Sequence, residues 1–134
     1  MEDVFVARLM TSDPITANPD TFVEDAANTL LDNQIGSIVV SDAEGGLEGI
    51  LTRTDFIRIV AESKPKAKTT VERYMSSDVI TVGAQDHIQT AADKMIEEGI
   101  SHLPVTDEDG IVMGIITKTD LTAYLSGDWT PSPS

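Results

Sequence analysis

The chain is written twice. Slid against itself by about 65 positions, residues 6–56 align with residues 71–121 without a gap, at about eighteen identities in about fifty positions. A duplication of this length means that whatever one half builds the other half builds again. The identities cluster. Met10-Thr11-Ser12-Asp13 matches Met75-Ser76-Ser77-Asp78, Ile15-Thr16 matches Ile80-Thr81, and Ala26-Ala27 matches Ala91-Ala92. At the end of each copy Gly49-Ile50-Leu51-Thr52-Arg53-Thr54-Asp55 matches Gly114-Ile115-Ile116-Thr117-Lys118-Thr119-Asp120.

Hydrophobic spacing predicts the same elements in both copies. Val23, Ala26, Ala27, Leu30 and Leu31 fall on one helical stripe, as do Ile88, Ala91, Ala92, Met95 and Ile96. Thr21 with Glu24, and Asp86 with Gln89, have the spacing of a capping box. Each helix is expected to bury its small residues and expose acids. Next comes an apolar run, Ile38–Val40 or Leu103–Val105, then a turn over residues 42–46 or 107–110, then a second run that ends at Thr52 or Thr117, which reads as a hairpin. Beyond it Phe56, Ile57 and Val60, or Leu121, Tyr124 and Leu125, return to helical spacing, so each unit reads β-α-β-β-α. Pro104 lacks a ladder donor, which predicts that its strand lies at an edge or is entered late. The expected organisation is a first repeat over 4–62, a linker over 63–70, a second repeat over 71–126 and a flexible tail over 127–134. The three lysines of the linker read as solvated charge, with a phosphate patch as the alternative. Trp129 in the tail is a possible anchor on a partner or on the chain itself.

Composition removes several function classes. Without cysteine there is no disulfide framework, thiolate zinc site or cysteine nucleophile. The net charge of −14 repels phosphate backbones, so no direct nucleic-acid partner is expected. No apolar run approaches the roughly 18 residues a bilayer span needs, and Met1-Glu2-Asp3 is acidic where a signal peptide is basic, which predicts no membrane insertion and a cytoplasmic location. Strong acidity with five lysines also suits a salt-loving prokaryotic host. His87 and His102 have no ligand partners at metal spacing. Walker, dinucleotide and nucleophile-elbow patterns are absent. Asp55 and Asp120 are excluded as an acid–base pair, because repeat symmetry gives them equivalent surroundings whereas an acid and a base need different ones. No catalysis is expected.

The two openings, the two closes and the Ile100-Ser101-His102-Leu103-Pro104-Val105-Thr106-Asp107 stretch together resemble a tandem pair of cystathionine β-synthase (CBS) domains, a Bateman module, over nearly the whole chain. The resemblance implies a mixed α/β fold of the α+β CBS type. Its two pseudo-two-fold related β-α-β-β-α units would pack sheet to sheet, with adenosyl ligands in clefts between them. Chemistry at the closes is compatible. Where a strand gives way to a helix, backbone N–H groups face outward, a carboxylate such as Asp55 or Asp120 can accept both ribose hydroxyls, and Thr52 or Thr117 can serve phosphate or cap the helix. Plain N-capping, which Thr54 and Asp55 would satisfy unaided, is the alternative.

By resemblance Ile15-Thr16 and Ile80-Thr81 flank adenine, with core strand as the alternative, while His102, beside Pro104, stands where the family often meets phosphate; its counterpart is Ser37. Arg53 and Lys118 occupy matching slots and complete the candidate ligand-binding set. The pseudo-symmetry implied by the resemblance would turn a ribose on Asp55 toward Ser101 and His102, and one on Asp120 toward Gly36 and Ser37. The Asp55 site is therefore expected to hold phosphorylated ligand better. The chain reads as a regulatory sensor of AMP, ADP or ATP, with S-adenosylmethionine or NAD as further candidates and magnesium able to accompany phosphate. It would act as a homodimer on an unidentified protein, a ligand-free dimerisation module being the second reading.

Overall fold

The computed structural model describes residues 4–62 and 69–127. Residues 63–68 of the expected linker, with its three lysines, and 128–134 of the tail, with Trp129, lie outside the described residues. The elements in order are α1 (Val6–Leu9), β1 (Thr11–Ser12), β2 (Thr16–Ala17), α2 (Val23–Asn33), β3 (Ser37–Ser41), β4 (Leu47–Thr52) and α3 (Arg53–Ala61). A 3-10 turn (Val71–Arg73) follows, then β5 (Val82–Gly83), α4 (Ile88–Glu98), β6 (His102–Thr106), β7 (Val112–Thr117) and α5 (Lys118–Ser126). The chain divides into two compact units, one of residues Ile15–Val79 and one that joins the chain start, through Pro14, to the segment beginning at Ile80.

In the Ile15–Val79 unit the sheet order is β2-β3-β4, with β2 parallel and β4 antiparallel to β3. Ala17, Ile38, Val40 and Leu51 on one sheet face join Val23, Ala26 and Leu30 of α2 and Ile59 of α3 in the core. Val71 completes it, fully buried, although its sequence belongs to the opening of the second repeat. That segment is held by Val71 N–H donating to Thr21 O (2.8 Å), Val23 N–H donating to Thr69 O (2.7 Å) and a two-way bridge between Ile50 and Ser76 (3.0 Å each).

The other unit repeats the plan with the first copy's opening. Its sheet order is β1-β7-β6-β5. Val6 and Ala7 N–H donate to Asp86 O (2.8 Å) and Ala84 O (2.9 Å), Ile88 N–H donates to Val4 O (3.0 Å), and Thr11 and Ser12 pair with Ile115 and Gly114. Val4, Val6, Leu9 and Met10 are buried with Ala91, Met95, Leu103, Val105 and Ile116. Each unit's core is thus closed by the opening segment of the other repeat. Gly49 and Gly114 are where these segments cross. A Cβ on Gly49 would lie 2.8 Å from Ser76 O, and one on Gly114 would lie 2.6 Å from Thr11 O, both closer than real Cβ atoms approach backbone.

The hairpins turn alike. Asp42 Oδ1 accepts from Glu44 and Gly46 N–H, Asp107 Oδ1 accepts from Asp109 and Ile111 N–H, and Gly45 and Gly110 take positive φ.

Four expectations about local structure are corrected. Leu31 and Ile96 end the helical stripes but are 75% and 77% exposed, since α2 and α4 turn only their Val/Ile–Ala–Leu/Met edge to the sheet. The boxes at Thr21/Glu24 and Asp86/Gln89 do not form: the N-caps are Phe22 and His87, without side-chain cap bonds. Thr21 Oγ1 instead accepts from Asn18 N–H, and Asp86 from Gly83 N–H, so both side chains stabilise the preceding turn. The cap of α3 is Thr52, not Thr54. Finally, Pro104 sits within an interior strand, opposite Ile115. Lys118 N–H donates to Ser101 O, and antiparallel alternation from that pair makes Pro104–Ile115 a pair without mutual hydrogen bonds. On the other side the β5 pairing begins only at Val105, so the missing donor interrupts no ladder.

Candidate functional site

At both closes a strand ends on threonine and a helix starts at the next residue. Thr52 caps α3 and Thr117 caps α5, each in a capping box with an aspartate at the third helical position. Asp55 Oδ2 accepts from Thr52 N–H (2.8 Å) and from its hydroxyl (3.3 Å). Asp120 Oδ2 accepts from Thr117 N–H (2.9 Å) and hydroxyl (3.1 Å), and Asp120 N–H donates to Thr117 Oγ1 (3.2 Å). The capping reading is therefore satisfied, and it consumes only one oxygen of each carboxylate. What happens at the other oxygen differs between repeats.

Sheet register gathers the remaining candidates. Ser37 lies directly opposite Thr52, and Thr16 lies beside Val39. Directly opposed residues share a sheet face, and alternation along β3 joins Ser37 to Val39. Because Ile38, Val40, Leu51 and Ala17 take the helix-packed face, Thr16, Ser37 and Thr52 stand on the helix-free one. Ser37 is buried and Thr16 exposed. Ile15, its neighbour, is 42% exposed and is not a core strand residue.

The second unit repeats the arrangement. His102 opposes Thr117, Pro104 opposes Ile115, and Thr81 precedes Val82 of β5, all on the face away from Leu103, Val105 and Ile116. Ile80 is half-buried against that core. Arg53 and Lys118 are exposed first residues of their helices, their N–H groups donating to Gly36 O (3.1 Å) and Ser101 O (3.0 Å). Lys118 also lines an open recess along α5 with Thr119, Thr122, Ala123 and Ser126, which takes in no other candidate. Within each unit, then, Asp, Thr and the Ser/His position come together at one sheet corner, with Thr16 or Thr81 along the same face.

Electrostatics separates the two corners, which corrects the expectation that repeat symmetry gives Asp55 and Asp120 equivalent surroundings. Burial raises the Asp120 carboxyl above its ordinary pKa, opposed by the two Thr117 hydrogen bonds and the charge of His102. Asp55 Oδ1 is met by Arg58 Nη1 at 3.3 Å. Lys94 Nζ donates to Thr81 O at 2.7 Å. Neither cation was singled out by the motifs. Arg58 has a short-range signal, its i,i+3 spacing from Asp55 on a helix; Lys94 lies 13 residues from Thr81 and has none. Among the described residues no group of three His, Cys, Asp or Glu is placed to hold a metal ion, and no helix is long and apolar enough to cross a membrane.

Comparison with known proteins agrees with this architecture. The crystal structure of the CBS domain pair of protein MJ0100, in complex with 5′-methylthioadenosine and S-adenosyl-L-methionine, is similar with a TM-score of 0.87 and 30% identity, covering 94% of this chain and 98% of that one. The structure of CBSX2 in complex with AMP is similar with a TM-score of 0.82 and 27% identity, over 91% and 96% of the two chains. Among curated proteins, an L-aspartate semialdehyde sulfurtransferase of Methanocaldococcus jannaschii is 31% identical over 122 residues; the match takes in 91% of this chain and spans 23% of that enzyme's length. The CBS domain profile itself matches twice, at residues 6–62 and 71–127. This chain belongs to the CBS domain family, as a tandem pair.

Proposed function

We propose that this chain is a non-catalytic sensor of adenosyl compounds that binds ribose through Asp55 and Asp120. The observation that carries the reading is the pair of aspartates at strand-to-helix junctions, each with Oδ2 held by a threonine N–H and Oδ1 outside the capping box. A carboxylate already oriented by the backbone loses little freedom when it accepts a hydroxyl. Thr16 in one repeat and Ile80 with Thr81 in the other flank the base. Thr52, Arg53, Ser37, Thr117, Lys118 and His102, beside Pro104, serve a phosphate or other 5′ substituent. Similar CBS pairs are described with 5′-methylthioadenosine, S-adenosyl-L-methionine and AMP, which supports an adenosyl class of ligand.

Thermal unfolding of the full chain with adenosine, AMP, ADP, ATP, NAD, 5′-methylthioadenosine and S-adenosylmethionine tests this. A ligand that binds only the folded form at 100 times its Kd adds about 2.7 kcal/mol. At least one adenosyl compound is expected to raise the midpoint, and guanosine analogues are not. No shift with any of the seven would overturn the reading.

Output passes to a second protein, and the module works as a homodimer. Ile57 and Val60 on α3 and Leu125 on α5 are 69%, 70% and 80% exposed, with Tyr124 half-buried beside Leu125. Val60 and Leu125, equivalent positions of the two repeats, are both uncovered, and each offers a second copy an apolar patch to match. Sedimentation at tens of micromolar is expected to give a dimer that Ile57→Glu with Leu125→Glu converts to monomer; a monomeric wild type would contradict it. A dimer that binds none of the seven compounds would favour the purely structural module.

A further inference from the structure

The two repeats differ at the oxygen a ribose would use. Asp55 Oδ1 is engaged by Arg58 Nη1 at 3.3 Å, the carboxylate side chain being 10% exposed and the arginine 63% exposed. The position equivalent to Arg58 in the second repeat is Ala123, and among the described residues Asp120 Oδ1 has no hydrogen bond. The Oδ2 bonds are otherwise alike; His102 stands at the Asp120 corner where Ser37 stands at the other, and at Oδ1 itself the bound guanidinium sets the Asp55 carboxylate apart as an acceptor. We infer that Arg58 competes with the ligand's ribose for Asp55, so that an adenosyl ligand without phosphate fills the Asp120 site first and the Asp55 site only as Arg58 swings away. This rests on the adenosyl-binding reading and adds to it an order of occupancy.

The size of the effect follows from exposure. An ion pair with one long, solvated partner contributes about 0.2–1 kcal/mol, which as a competing interaction is about a 1.4- to 5-fold weakening. Being exposed, Arg58 can leave without opening the core. Its cost is also screened by salt, so the two sites draw together as ionic strength rises.

Calorimetric titration of the full chain with adenosine tests the inference without a phosphate to attract cations. In wild-type protein two events are expected, the tighter removed by Asp120→Ala and the weaker by Asp55→Ala. Arg58→Ala should tighten the weaker event by about 1.4- to 5-fold and leave the tighter one unchanged. Arg58→Lys should fall between, and Ala123→Arg should weaken the tighter event by a similar factor. If Arg58→Ala leaves both affinities unchanged while the aspartate variants still remove their events, the competition is refuted and the sensor reading stands. Weaker AMP binding in Arg58→Ala, with adenosine unaffected, would refute it too, by making Arg58 a phosphate contact. If wild-type protein binds no adenosine the competition is refuted, and the sensor reading falls with it only where none of the seven adenosyl compounds binds.

Discussion

At the scale of single residues, the aspartates serve two tasks at once, and the tasks separate by substitution. In Asp120→Asn the amide oxygen can still accept from Thr117 N–H, so the cap survives without a charge to desolvate. Because burial raises the Asp120 pKa in the folded state, proton uptake adds stability that is present below the unfolded-state pKa and is lost as pH rises through the folded-state one. Asp120→Asn is therefore expected to be at least as stable as wild type at pH 7, with the difference closing as pH falls into the acid range where Asp120 itself protonates. Asp120→Ala, which loses the carboxylate half of the capping box while the backbone N–H of residue 120 can still donate to Thr117 Oγ1, should cost about 1 kcal/mol at pH 7. Urea unfolding across pH 3–7 checks both; an asparagine variant less stable than the alanine variant would contradict the assignment. A second residue-scale contrast lies at the helix C-caps, where Gln34 and Gly99 occupy equivalent left-handed positions with φ of 53° and 66°. Gln34→Gly should gain, and Gly99→Ala lose, about 1 kcal/mol, since a Cβ at Gly99 meets nothing within 4 Å and only backbone strain is at stake.

At the scale of elements, the two most similar stretches of each repeat are structurally one feature. The Met-Ser opening of the second copy crosses Gly49 of the first copy's close, and the Met-Thr opening of the first crosses Gly114 of the second's. Gly49→Ala and Gly114→Ala each place a methyl under 3 Å from a backbone oxygen and should cost about 1–3 kcal/mol, read by thermal melting. A cost below 0.5 kcal/mol would mean the crossing is loose, on the scale of ordinary surface substitutions. Helix and hairpin positions were legible in the sequence because periodicity records which face is buried, as with Ala26 and Leu30 or Ile38 and Val40. The exchange of opening segments was not, because Val71 is apolar whichever core receives it. Nor was the exposure of Leu31 and Ile96, since a stripe is written in hydrophobicity while its width is decided by what packs against it. Of the candidate site, Thr52, Asp55, Thr117 and Asp120 stand where their spacing put them. Lys94 escaped because its partner is a backbone carbonyl far away in sequence.

For the whole molecule, a charge of −14 on 134 residues means that self-repulsion opposes folding unless screened. The unfolding midpoint should therefore rise as salt is added from low ionic strength, where the Debye length exceeds about 10 Å; a midpoint that falls over that range would contradict this. A ligand with a 5′ phosphate adds further negative charge, so its gain over adenosine should widen with salt. The most direct measurement of the central claim is calorimetric titration of the full chain with AMP and with 5′-methylthioadenosine, in wild type and in the Asp55→Ala, Asp120→Ala double variant. Saturable binding in the wild type that disappears in a double variant with an intact cooperative melt is the predicted result. Binding unchanged in the double variant, or none in a folded wild type at millimolar ligand, would contradict the assignment of these carboxylates as the adenosyl site.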